Sequence, residues 1–112
     1  MKSAERAAQI WQVLISAAHN RQTITYEQLA RLIGMGDKGY LITGGVKGPL
    51  GRVTWYCERK EYPPLTCLVV SKNTGRPGTE FSNLDVQREE VFEKRWLSLP
   101  PVLVEEFIPW GE

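Results

Sequence analysis

The side chains with the clearest chemical potential are basic residues in the middle of the chain. Those that could contact nucleic acid there are Lys38, Lys47, Arg52, Arg59 and Lys60. Arginine and lysine neutralise phosphates and read guanine edges in the major groove. Arg52, Arg59 and Lys60 therefore suggest a helix that contacts DNA. Lys38 and Lys47 would direct the preceding turn toward the DNA. A solvated charged face, with Glu58 and Glu61 pairing locally, is the alternative explanation.

Nucleophilic chemistry is limited by the two cysteines and the single histidine. Cys67 lies in an apolar stretch, and Cys57 lies on the apolar stripe of a predicted helix. A thiol attacks as the thiolate, which needs a neighbouring base or cation to form. We therefore expect both thiols to be protonated and inert. His19 has no ligand partner at suitable spacing, so we predict no catalytic residue and no metal site.

Glycines are dense between residues 35 and 48, where Gly36, Gly39, Gly44, Gly45 and Gly48 occur. Glycine-rich loops can hold phosphates, but this segment matches neither the Walker pattern nor the GxGxxG fingerprint. We interpret it as a turn between two helices rather than as a nucleotide site, and we predict no cofactor.

Two predicted helices flank this turn. Thr25 and Gln28 have the spacing of a capping box, and Gly34 follows the helix where a left-handed residue is favoured. Pro49 suits the first position of the second helix, where its missing amide proton is not needed. The buried stripe of that helix is predicted to comprise Leu50, Val53 and Cys57. Such a pair can present its second helix to the major groove, although many helix pairs bind no DNA.

Three more elements are predicted around this pair. Apolar residues recur at helical spacing from Ser3, a candidate N-cap, to about Asn20. The segment 65–71 is rich in apolar and β-branched residues and is predicted to be a strand. Ser82 or Asn83 can cap a last helix, which the prolines at 100 and 101 stop.

The turn after the predicted strand carries Lys72 and Arg76 among Asn, Gly and Pro residues. A strand that enters a basic loop after a candidate recognition helix has the layout of a wing. Lys72 and Arg76 would then meet phosphate or the minor groove. An ordinary hairpin turn with two exposed charges is the alternative.

Composition predicts one domain over residues 1–112, with a core from about 3 to 97 and a C-terminal tail over 98–112. The net charge is +1, which argues against nonspecific DNA coating and favours a polarised contact. Two cysteines make no disulfide framework, no secretory signal opens the chain, and no apolar run could span a bilayer. We expect a cytoplasmic protein with no membrane contact.

Thr25-Tyr26 is followed by Leu29-Ala30, and Val69-Val70 is followed by Gly75. With the order of elements, these residues resemble the C-terminal winged helix-turn-helix domain of the O6-alkylguanine DNA alkyltransferases and alkyltransferase-like proteins. The resemblance covers residues 23 to about 97. It implies DNA binding through the second helix of the pair. It also implies that Tyr26 lies near a DNA phosphate. In the family an arginine of the recognition helix inserts into the base stack, and Arg52 or Lys47 is the candidate for that position here.

The family's reactive Pro-Cys-His-Arg stretch falls on the segment Leu65–Leu68. Thr66 therefore stands where the resemblance implies the acceptor cysteine, and Cys67 stands where it implies the histidine. Alkyl transfer is not expected from this chain, because it needs a thiolate, and the apolar surroundings of Cys57 and Cys67 should keep both thiols protonated.

We therefore predict a mainly helical α+β fold, a single domain of winged helix-turn-helix type. It would bind double-stranded DNA, with modified or damaged bases among the targets, act without catalysis, and work alone or beside a protein effector. The predicted contact residues are Tyr26, Lys38, Lys47, Arg52, Arg59, Lys60, Lys72 and Arg76. The alternative is a protein-interaction module anchored by Trp55, Tyr56, Trp110 and the apolar tail.

Overall fold

The computed structural model describes residues 2–34, 47–77 and 83–108. Within them the fold is mainly helical, as the sequence predicts, and it contains one small parallel sheet. The helices are α1 (Lys2–His19), α2 (Tyr26–Leu32), α3 (Lys47–Lys60) and α4 (Leu84–Glu93). The strands are β1 (Ile24–Thr25) and β2 (Val69–Val70), and short 3-10 helices cover Leu65–Leu68, Trp96–Ser98 and Val104–Phe107. No helix in these ranges is long and apolar enough to cross a membrane.

Helix α1 is the centre of the core and packs most extensively against α3. Its predicted apolar stripe is confirmed, because Ala7, Ile10 and Leu14 are fully buried and Trp11 nearly so. The Trp11 ring makes edge contacts with aromatic rings from α3 and from the 3-10 helix at 96–98. The helical spacing of apolar residues therefore positions the element on which the others pack.

Local signals at the start of α2 are confirmed. The Thr25 hydroxyl accepts from the Gln28 amide at 3.1 Å, and the Gln28 side chain accepts from the Thr25 amide at 3.0 Å. This capping box satisfies two amides that the first turn leaves unpaired. Gly34, at φ +82°, ends the helix in the left-handed conformation that glycine adopts without steric cost.

The strand predicted over 65–71 is wrong for most of its length. Leu65–Leu68 forms a 3-10 helix, in which the Cys67 amide donates to the Pro64 carbonyl at 3.0 Å. Only Val69 and Val70 form a strand, and they pair in parallel with Ile24 and Thr25. Because β1 is two residues long, the remaining amides of this segment find no strand partner there and close a local turn instead.

The predicted start of α1 and the predicted end of α4 are wrong, whereas the start of α4 is predicted correctly in position. Ser3 lies inside α1, and its hydroxyl accepts a hydrogen bond from Arg52. Asn83 occupies the N-cap position of α4, as predicted, but at φ +55° its side chain makes no capping hydrogen bond; Ser82 lies outside the described residues. Helix α4 stops at Glu93, well before the prolines at 100 and 101.

The core continues past residue 97, where the sequence predicted that it ends. Phe107 is fully buried and contacts the rings of Trp11 and Tyr56. Trp96 is buried as well, and its indole N–H donates to the Val91 carbonyl at 2.8 Å. The segment 98–108 is therefore a packed part of the fold, which was one of the open possibilities for the tail.

Candidate nucleic-acid interface

The parallel sheet brings two predicted contact segments to one edge. Ile24 pairs with Val69, and Thr25 pairs with Val70. Paired strands lie about 5 Å apart, and parallel strands end at the same side of their sheet. Tyr26, which directly follows β1, and the segment that follows β2 therefore leave the sheet together.

The segment after β2 is a tight, hydrogen-bonded turn, which we call the basic turn (residues 71–76). The Gly75 amide donates to the Ser71 carbonyl, and the Ser71 amide donates to the Arg76 carbonyl, each at 2.8 Å. The Thr74 hydroxyl accepts from the Arg76 amide at 3.1 Å. The chain thus reverses within six residues and presents Lys72 and Arg76, both exposed, at the sheet edge.

Tyr26 is half-buried as the first residue of α2, at this same edge. Lys47 begins α3, and its side chain lies outside the described part of the chain, as does all of Lys38. These two predicted contacts are therefore not located. Of the predicted contact residues, the sheet brings together Tyr26, Lys72 and Arg76.

The prediction that Arg52 lies on the outer side of α3 is wrong. Its side chain is 6% exposed. The guanidinium donates to the Phe107 carbonyl at 2.6 Å, to the Ile108 carbonyl at 3.3 Å and to the Ser3 hydroxyl at 3.0 Å. A group bound on three sides within the fold cannot enter a base stack, so Arg52 is removed from the candidate interface.

Arg59 and Lys60 are exposed in the last turn of α3, but they face the C-terminal segment. The Arg59 guanidinium lies 3.4 Å from a Glu106 carboxylate oxygen and 4.8 Å from the centre of the Trp55 ring. The Lys60 ammonium lies 5.8 Å from the centre of the Tyr56 ring. Burial raises the pKa of the Tyr56 hydroxyl. Arg59 is thus partly neutralised by a carboxylate, and Lys60 is the freer of the two charges.

The thiols are enclosed, as their apolar surroundings predict. Cys57 and Cys67 are buried, and burial raises the pKa of each thiol to about 11. At Cys67 this effect is opposed by the positive charge of Arg88. Thr66 is also buried, with its hydroxyl 2.9 Å from that of Thr54 on α3. Within the described ranges no group of three or more metal-ligating side chains occurs.

One side chain at this edge was missed in the sequence. Arg88 lies on α4, and its Nη2 donates to the Gly75 carbonyl at 3.3 Å. Nothing in its sequence surroundings distinguishes it from the neighbouring charged residues of that helix. The helical spacing of residues in α4 does not predict that Arg88 contacts Gly75, which lies 13 residues earlier in the chain.

No protein family, curated protein or solved structure matches this chain. The resemblance to the alkyltransferase domain therefore rests on the quoted sequence motifs and stays a prediction.

Proposed function

We propose that this chain is a non-catalytic DNA-binding module of winged helix-turn-helix type. It contacts the phosphates of duplex DNA with the start of α2 and with the basic turn, which takes the part of the wing. The observation that carries the proposal is the parallel pairing of β1 and β2, because it gathers Tyr26, Lys72 and Arg76 at one edge.

The charges at this edge suit phosphate binding. Among the described residues, the side chains of Lys72 and Arg76 make neither an ion pair nor a side-chain hydrogen bond. Cations that have no partner in the described part of the chain can displace counterions from DNA without first breaking a contact there. Because the chain as a whole carries only +1, the contact would be confined to this edge rather than spread over the surface.

The surroundings of the thiols and of Thr66 support a role without alkyl transfer. A thiol with a pKa of about 11 is almost wholly protonated at neutral pH and is therefore a weak nucleophile. The Thr66 hydroxyl is bonded to another hydroxyl rather than to a base. Recognition of a modified base would then be binding alone.

The test is fluorescence anisotropy with a labelled duplex, carrying either guanine or an O6-alkylguanine, at two salt concentrations. We expect salt-dependent binding, and a preference for the modified base would place the protein with the alkyltransferase-like group. Arg76→Ala should lower the salt dependence by about one phosphate contact. Arg95→Ala is the matched control, because Arg95 is exposed and its substitution removes the same charge away from the basic turn.

If the unmodified protein does not bind duplex DNA at low salt, the proposal fails. An equal loss in Arg76→Ala and Arg95→Ala would also count against it, because the effect would then be one of net charge.

A protein-interaction module is the second candidate. It no longer rests on Tyr56 or on the C-terminal segment, which are buried or packed in the core, and Trp110 lies outside the described residues. The observation that favours it is a groove of about 660 Å³ between α1 and α2, with Val13, Ala17, Ile24 and Leu32 in its walls. Leu32 is 64% exposed there. A protein complex that is insensitive to salt and lost in Leu32→Ser, with no DNA affinity, would support this alternative.

A further inference from the structure

We propose that Arg88 is a positioning residue. Its hydrogen bond to the Gly75 carbonyl stabilises the basic turn in the conformation that contacts DNA. The DNA part of this inference rests on the proposed function; the structural part does not. Arg88 would shape the contact without touching DNA itself.

One hydrogen bond and one electrostatic effect locate the guanidinium of Arg88. Its Nη2 lies 3.3 Å from the carbonyl oxygen of Gly75, the next-to-last residue of the basic turn. Its charge acts on the Cys67 thiol, two residues before β2. Arg88 therefore lies beneath the segment that runs from Cys67 through β2 into the turn, and it joins this segment to α4.

Helix α4, which carries Arg88, is packed against the core. It packs against the 3-10 helix Leu65–Leu68, and Val91 on the same helix is fully buried. Next to Arg88, Glu89 accepts from Arg21 at 3.1 Å, which joins α4 to the segment before β1. Glu89 thus contacts the segment before β1, and the adjacent Arg88 contacts the turn after β2.

The Gly75 carbonyl is not used by the amide hydrogen bonds within the turn, and Arg88 binds it. The Ser71 and Arg76 carbonyls accept amide hydrogen bonds within the turn, whereas the Gly75 carbonyl accepts from the guanidinium. Gly75 has φ +68°, a conformation that glycine adopts without steric cost, so its carbonyl reaches Arg88 without strain at that residue. Arg88 Nε is buried and has no hydrogen-bond partner among the described residues. The Nη2 contact therefore offsets part of the desolvation of this cation.

Limited trypsin digestion tests the structural part. Within the basic turn trypsin can cut after Lys72, whereas the bond after Arg76 precedes a proline and resists it. We expect Arg88→Ala to speed cleavage after Lys72 by roughly fivefold, the effect of losing one hydrogen bond. Arg88→Lys, which keeps a donor, should give an intermediate rate, and Arg95→Ala should leave the rate unchanged.

Cleavage after Arg6, in α1, serves as the internal reference for global unfolding. A selective increase after Lys72 supports the inference. No increase after Lys72, or an equal increase at both bonds in Arg88→Ala and Arg88→Lys, overturns it.

DNA affinity tests the functional part. Arg88→Ala should weaken binding to the labelled duplex roughly fivefold while the slope of affinity against salt stays the same, because no phosphate contact is lost. A slope reduced by about one would show that Arg88 contacts phosphate directly, which overturns the positioning role. Failure of the unmodified protein to bind DNA would reject the proposed function alone, because the digestion result decides the role of Arg88 in the turn.

Discussion

The guanidinium of Arg52 donates a hydrogen bond of 2.6 Å to the carbonyl oxygen of Phe107. The same side chain reaches the Ser3 hydroxyl, so one cation joins the first turn of α1, the middle of α3 and the end of the core. Hydrogen bonds with an ionised donor are stronger than neutral ones, and a buried cation that loses them is costly. Arg52 is therefore a structural residue.

We expect Arg52→Ala to lower the free energy of unfolding by about 2 to 4 kcal/mol, because it leaves two carbonyls and a hydroxyl unpaired and opens a space in the core. Urea denaturation followed by tryptophan fluorescence measures this. The control is Arg59→Ala, whose exposed ion pair with Glu106 should contribute less than about 1 kcal/mol. A stably folded Arg52→Ala variant that has lost DNA binding would return Arg52 to the interface.

Removing the cap of α2 should destabilise the fold moderately. Thr25→Ala loses the hydroxyl that accepts from the Gln28 amide, which we expect to cost about 1 kcal/mol. Thr25→Ser keeps the acceptor and should lose much less. Thr23→Ala, at a nearby exposed position, is the neutral control. Equal melting temperatures for Thr25→Ala and Thr23→Ala would contradict a stabilising role for the cap.

Stability should fall at high pH because of the thiols. The pKa of Cys57 and of Cys67 is about 11 in the folded state, against 9.0 for an unperturbed thiol. Above pH 9 the unfolded chain loses these protons while the folded chain keeps them, so the free energy of unfolding decreases from about pH 9 to pH 11. Denaturation at pH 8, 9 and 10 measures the slope. Cys67→Ala should flatten it, and an unchanged slope would show that other groups cause it.

The same protonation should hide both thiols from a thiol reagent. At pH 8 we expect Cys57 and Cys67 in the folded protein to react far more slowly than in denaturant, because they are both buried and protonated. Ellman's reagent measures the two rates. Rapid labelling of one cysteine in the folded protein would contradict the inert role and reopen the question of alkyl transfer.

A side chain at position 75 should strain the basic turn. Gly75 has φ +68°, and an added Cβ would meet no atom within 4 Å, so Gly75→Ala carries a conformational cost of about 1 kcal/mol without a clash. Gly75→Asn should cost less, because asparagine tolerates this conformation. Gly48→Ala, in α3, is a useful contrast, since its Cβ would make an ordinary contact with the Ser3 hydroxyl oxygen on α1 at 3.7 Å. Hydrogen exchange of the 71–76 amides reports the local effect.

Features with local causes could be predicted from the sequence. The stripe of α1, the capping box at Thr25 and the left-handed Gly34 depend on residues within a few positions of one another. The burial of Arg52 depends on carbonyls 55 and 56 residues away, so its charge alone suggested an exposed position. The length of β2 depends on its partner strand. The apolar run from Leu65 predicts a longer strand, but β1 offers only two residues for pairing.

The pairing of Ile24 with Val69 also bears on the order of folding. Between these residues the chain passes through α2, α3 and the 3-10 helix Leu65–Leu68, so pairing the two strands costs the closure entropy of a long loop. Helix α1 and the capped start of α2 depend on near neighbours and can form early. The edge that carries the basic turn would then assemble after the folding transition state, and substitutions there should speed unfolding while hardly slowing folding.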